Sequence, residues 1–111
     1  MTEMFDTRKD QAATWFRSLR DQIVAAFEAL EDSQTTGPFA DLPPGRFEVT
    51  ETTRAEDGGG GIMSVMRGGR LFEKVGVNWS AVHGTLAPRA VAAMAARKDI
   101  PGMAEDPRFW A

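Results

Sequence analysis

The only histidine in the chain is His83. A metal site built on it would need carboxylates for its remaining ligands, and no Asp or Glu stands at a helical or strand spacing that recommends a ligand set. A structural or hydrogen-bonded role is therefore the plainer reading of His83. Ser64 and Ser80 supply hydroxyls, yet neither lies in a nucleophile-elbow sequence and nothing orients His83 as their base, so a Ser-His-Asp triad is set aside. The run Gly58-Gly59-Gly60-Gly61-Ile62-Met63-Ser64 invites comparison with a phosphate loop. It lacks the Gly-Lys-Ser/Thr ending, and a strand pattern rather than a helix follows it, so the glycines read as a wide turn. Glu56-Asp57 and Glu105-Asp106 are carboxylate pairs only by adjacency, which points neighbours in different directions, and both read as solvated loop residues. With no cysteine, thiolate ligands, a thiol nucleophile and disulfides are all excluded.

The elements that would carry these residues follow from periodicity. Phe16, Leu19, Ile23, Phe27 and Leu30 recur at spacings of three and four, which predicts an amphipathic helix over about residues 8 to 32 with that stripe on the core and Arg17, Arg20, Asp21, Glu28 and Glu31 on a wet opposite face. Thr7 followed by Asp10 reads as a weak capping box at its start. Residues 33 to 45 are rich in Ser, Thr, Gly and Pro and read as a linker, with Pro43-Pro44 stopping any helix. Phe47 and Val49 then alternate with Glu48 and Thr50, giving a first strand over about 46 to 54. A second strand is expected over 62 to 67 and a third over 71 to 82, joined by Gly68-Gly69 as a two-residue hairpin turn.

The long third strand has two faces. Leu71, Val75, Val77, Trp79 and Ala81 point one way, and Phe72, Lys74, Gly76, Asn78, Ser80 and Val82 point the other. The first face reads as core; the second suits either a cavity lining or a solvated surface. Pro88 opens a short alanine-rich helix through Ala96. The closing Phe109-Trp110-Ala111, with no polar tail, predicts that the natural chain continues into another strand.

A chain of 111 residues with 42% hydrophobic and 26% charged residues has the composition of one globular domain or a piece of one. A net charge of −3 offers no basic field for a nucleic-acid backbone. Met1 to Asp10 lack the apolar run of a secretory signal, and no stretch approaches the roughly 18 uninterrupted apolar residues of a membrane span, so a cytoplasmic protein is expected.

The literal residues say more than their periods. Gly58-Gly59-Gly60-Gly61-Ile62-Met63-Ser64-Val65-Met66, Gly69-Arg70-Leu71-Phe72-Glu73-Lys74-Val75-Gly76-Val77-Asn78 and Ser80-Ala81-Val82-His83-Gly84 together resemble the signature of the oxygen-dependent coproporphyrinogen III oxidases. Trp79 departs from that pattern, standing where a smaller aliphatic residue or Phe is usual. Glu56-Asp57 departs too, replacing a basic-acidic pair before the glycines.

The resemblance implies an α+β fold: an N-terminal amphipathic helix, then antiparallel strands belonging to a larger flat antiparallel sheet flanked by helices. It implies oxidative decarboxylation of coproporphyrinogen III to protoporphyrinogen IX with O2, no organic cofactor, a homodimer, and a metal requirement left open. Residues 1–111 would then be the N-terminal part of a single domain more than twice as long, inactive alone, with the family's catalytic residues beyond Ala111. The segment Gly58, Gly59, Gly60, Gly61, Ile62, Met63, Ser64, Val65, Met66 and Arg67 matches one associated with the dimer interface. Asn78 and Ser80 are the residues expected to border the substrate cavity. The competing reading is a small non-catalytic α+β homodimerising module, or the remnant of a decayed gene.

Overall fold

A computed structural model describes residues 2–111. Helix α1 spans Thr2–Ser33, strand β1 Glu48–Thr53, β2 Gly58–Arg67 and β3 Lys74–Thr85; helix α2 spans Pro88–Ala95 and strand β4 Arg108–Trp110. The strands lie in one sheet in the order β1-β2-β3-β4. Connections 54–57 and 68–73 are too short for a parallel crossover, so these neighbours run antiparallel. Strand β4 pairs antiparallel with β3 in the register His83↔Trp110, Gly84↔Phe109 and Thr85↔Arg108. The α+β class, with one long helix ahead of an antiparallel sheet, is as expected.

Helix α1 begins earlier than its apolar stripe indicates. Thr7 is no cap: its Oγ1 donates to the Glu3 carbonyl at 2.9 Å, four residues back within the helix. At the other end, the Ser33 hydroxyl donates to the Leu30 carbonyl at 2.9 Å, and Gly37, Pro38 and Pro43-Pro44 keep the next segment out of helix. Helix α2 has Pro88 in its first turn, as the sequence indicates.

Two corrections concern the hairpin. The glycine run is not a wide turn; all four glycines belong to β2, which starts at Gly58 rather than at Ile62. Glycine is required there by close approach, because Gly59 has φ of 101° and a Cβ on it would collide with the Ala81 carbonyl. The β2–β3 connection is likewise not a two-residue Gly68-Gly69 turn. Gly68 N donates to Glu73 O and Gly69 N to Phe72 O, both at 2.9 Å, which places Arg70-Leu71 at the tip. Strand β3 consequently starts at Lys74, not Leu71.

The chain comprises two units, Met1–Thr52 with Gly61–Trp79, and Thr53–Gly60 with Ser80–Ala111. In the first, Phe27 of α1 meets Phe72 edge-on at 4.9 Å between ring centres and Phe47 at 6.4 Å. The Arg17 guanidinium lies 4.6 Å above the Trp79 ring, and Arg20 Nη2 donates to the Ser64 hydroxyl at 2.6 Å. Met66 and Ser64 of β2 are fully buried.

The row that α1 turns to the sheet is thus Arg17, Arg20, Phe27 and Glu31. The expected core stripe is only partly buried: Leu19 and Phe27 are half-buried, while Phe16, Ile23 and Leu30 are 48%, 36% and 49% exposed. Periodicity identifies residues that share a face, not the face the sheet will take. Here the sheet takes the row ending in Glu31, whose carboxylate has four amides to satisfy.

In the second unit, Arg54 donates to the His83 carbonyl at 3.3 Å, pairs with Asp57 at 3.9 Å and lies 5.9 Å from the Phe109 ring centre. The His83 ring packs so closely on Gly58 that any Cβ there would strike it. His83 therefore has a structural setting, in line with the plainer reading of it.

Candidate functional site

The strongest polar constellation is one that motif searching passes over. Glu31, in the last turn of α1, is fully buried. Its Oε1 accepts the amides of Gly45 at 2.7 Å and Arg70 at 2.6 Å. Its Oε2 accepts those of Leu71 at 2.7 Å and Phe72 at 3.0 Å. Three consecutive amides of the hairpin tip and one from the Pro-rich linker thus converge on a single carboxylate.

This geometry explains the β3 boundary. Amides 70 to 72 have no strand partner because Glu31 takes all three, so Leu71 is not core but 47% exposed at the tip, and Phe72 turns inward onto Phe27. It also explains two glycines: a Cβ on Gly45 or Gly69 would press directly on the Glu31 carboxylate.

Burial pushes the Glu31 pKa up. The four amide bonds, led by that of Gly45, more than reverse this and bring it from 4.5 down to about 2. The group is anionic at any physiological pH, and all its acceptor capacity toward the chain is spent on backbone donors. It acts as a clamp, neither a base nor a nucleophile.

Arg70 reinforces the clamp, its Nε donating to the Leu42 carbonyl. At the foot of α1, Arg46 Nη2 pairs with Asp32 at 2.7 Å, a hydrogen bond that raises the arginine pKa further. Nearer the middle of the helix, Arg20 is mostly covered; its Nη atoms reach Ser64 and Asp21 while its buried Nε has no partner.

Asn78 and Ser80 both stand on the exposed side of β3, where Val75, Val77, Trp79 and Ala81 alternate with them as half-buried residues. The structure joins Asn78 to the glycine strand: its Oδ1 accepts the Ser64 amide at 3.3 Å. The wet face expected of α1 is corrected at two residues: Glu31 is buried by the four amides it accepts, and Arg20 is covered where it reaches Ser64; the part that Gly45 and Gly69 play beside Glu31 was not foreseen. The only local signal was two turn glycines, Gly45 and Gly69, 14 and 38 residues beyond a helical glutamate. Among the described residues, no group of three or more His, Cys, Asp or Glu side chains is arranged to hold a metal ion, and no helix is long and apolar enough to cross a membrane.

A single helix clamped through a buried carboxylate to an antiparallel hairpin, with a glycine strand beside it, defines an α+β protein whose polar centre organises backbone. The chain belongs to the coproporphyrinogen III oxidase family, whose model matches residues 11–111. It is 43% identical over 105 residues to the oxygen-dependent coproporphyrinogen-III oxidase of Rickettsia felis. To those of Rickettsia bellii and Rickettsia peacockii it is 40% identical, over 103 and 105 residues. Each alignment covers 93% of this chain and 33% of the relative, so the chain spans about a third of the length of the curated relatives it matches. No solved structure matches it.

Proposed function

We propose that this chain is the N-terminal third of a cytoplasmic, homodimeric, oxygen-dependent coproporphyrinogen III oxidase, and that it serves there as scaffold. The enzyme decarboxylates two propionate side chains oxidatively to vinyl groups, giving protoporphyrinogen IX, with O2 as electron acceptor and no organic cofactor. The observation that carries this reading is the family match through residues 11–111. The substrate's carboxylates call for cationic clamps, and its pyrrole N–H groups for an acceptor in a dry cleft. These belong to the remaining two thirds of the enzyme.

Within that scaffold, Glu31 fixes the hairpin that presents β3, and the exposed, uncharged Asn78 and Ser80 border the substrate cavity of the complete enzyme. The segment Gly58–Arg67 contributes to the homodimer interface, a reading that rests on its match to the family's glycine strand.

The test is a chimera in which this chain replaces the matching third of the Rickettsia felis enzyme. Conversion of coproporphyrinogen III is expected, with KM raised by Asn78→Ala. A soluble, folded chimera without turnover overturns the assignment.

A further inference from the structure

The carboxamide of Asn78 has a fixed polarity. Its Oδ1 accepts the Ser64 amide at 3.3 Å. Only the oxygen of a carboxamide can take an N–H, so Nδ2 is turned the other way with its hydrogens to give. Ser64 is itself fully buried and held from the helix side, where Arg20 Nη2 donates to its hydroxyl at 2.6 Å. Arg20, Ser64 and Asn78 thus form a line from α1 through the sheet to the exposed side of β3.

The surroundings of Nδ2 leave it free to donate. Its neighbour on the row is Gly76, where even an added Cβ would stand 3.8 Å from Nδ2. Lys74, Gly76 and Asn78, the outward row of β3 in this unit, are all exposed and none is acidic, so the row holds no charge that repels an anion. Among the described residues, Oδ1 is the only side-chain atom of Asn78 in a hydrogen bond.

A donor presented in this way selects among the parts of the proposed substrate. The pyrrole N–H groups of coproporphyrinogen III are themselves donors, and its ring carbons are neither donor nor acceptor. The propionate oxygens are the strong acceptors it offers. A hydrogen bond from a neutral amide to a carboxylate is charge-assisted and is worth roughly ten- to a hundredfold in affinity.

We propose that Asn78 is a substrate-contacting specificity residue that donates through Nδ2 to a propionate carboxylate, its orientation set by the Ser64 amide. The inference rests on the reading of this chain as part of a coproporphyrinogen III oxidase.

Asn78→Asp in the Rickettsia felis chimera separates the two ends of the carboxamide. It retains an oxygen for the Ser64 amide and sets a carboxylate oxygen where Nδ2 stood, with like charge toward a propionate. Binding of coproporphyrin III, the stable aromatic form with the same propionates, is read by fluorescence quenching beside that of its tetramethyl ester, in which every carboxylate is masked. Asn78→Ala should weaken binding of the tetra-acid roughly tenfold and Asn78→Asp at least about 100-fold. The ester should be weakened no more by Asn78→Asp than by Asn78→Ala. In turnover of coproporphyrinogen III, KM should rise in the same order while kcat stays within about twofold. An unsubstituted chimera without turnover overturns the oxidase reading and this inference with it. A working chimera in which Asn78→Asp leaves tetra-acid binding intact, or weakens acid and ester alike, overturns this inference alone. The Asn78→Asp comparison decides the matter even if Asn78→Ala fails to fold.

Discussion

Glu31 Oε2 accepts the amide of Leu71 at 2.7 Å across 40 positions of sequence, and this contact ties the end of a long helix to the tip of a β-hairpin. Hairpin tips are ordinarily open to water. Here the carboxylate stands in for the solvent that would otherwise hydrate three tip amides.

Replacing Glu31 with Gln keeps the shape but turns one acceptor atom into a donor facing amide N–H groups. Glu31→Gln is expected to cost about 3 kcal/mol of unfolding free energy, measurable by urea titration. Amide exchange at residues 70–72 should accelerate well beyond that of the β3 interior. Unchanged stability would show that the clamp contributes nothing.

The same carboxylate gives a pH signature. Its pKa is about 2 when folded and 4.5 ordinarily, so the folded state binds fewer protons than the unfolded one between those values. The stabilisation, on the order of 3 kcal/mol, is fully present above pH 4.5 and is lost as pH falls toward about 2. Glu31→Gln should flatten this part of the profile. Asp106 is also held at about 2, by hydrogen bonding to Arg108, but that pair is exposed, and Asp106→Asn should change the profile little.

Two positive-φ glycines should respond differently to alanine. Gly59→Ala places a Cβ into the Ala81 carbonyl at φ of 101° and is expected to cost about 3 kcal/mol or more, whereas the Gly68 site, at φ of 62°, is open. Gly68→Ala should therefore cost only about 1 kcal/mol. Equal costs in thermal unfolding would contradict the packing described for β2.

Ser64→Ala removes the partner of Arg20 Nη2 in a guanidinium whose buried Nε already lacks one. A loss of about 1 to 2 kcal/mol is expected. If the variant matches the parent chain in denaturant, the Arg20 contact is incidental.

What sequence made legible here was local. The alternation of Val75, Val77, Trp79 and Ala81 against Lys74, Gly76, Asn78 and Ser80 matches the burial seen along β3, and Pro88 starts α2 as its chemistry requires. Glu31 stayed hidden because a glutamate on an amphipathic helix ordinarily faces water, and its partners lie 14 to 41 residues away. The misplaced start of β3 has the same origin, since residues 71 and 72 look strand-like until Glu31 takes their amides. The glycine run misled for the opposite reason: glycine is a poor strand former, and only the close approach of Ala81 and His83 explains its place in β2.

The measurement that bears most directly on the central claim, that this chain is scaffold and its chemistry lies elsewhere, is product formation by the 111 residues alone. Incubated with coproporphyrinogen III under air, with the Rickettsia felis chimera as positive control, the isolated chain should form no protoporphyrinogen above the buffer rate. Turnover by the isolated chain would contradict the account and place the reacting groups within it.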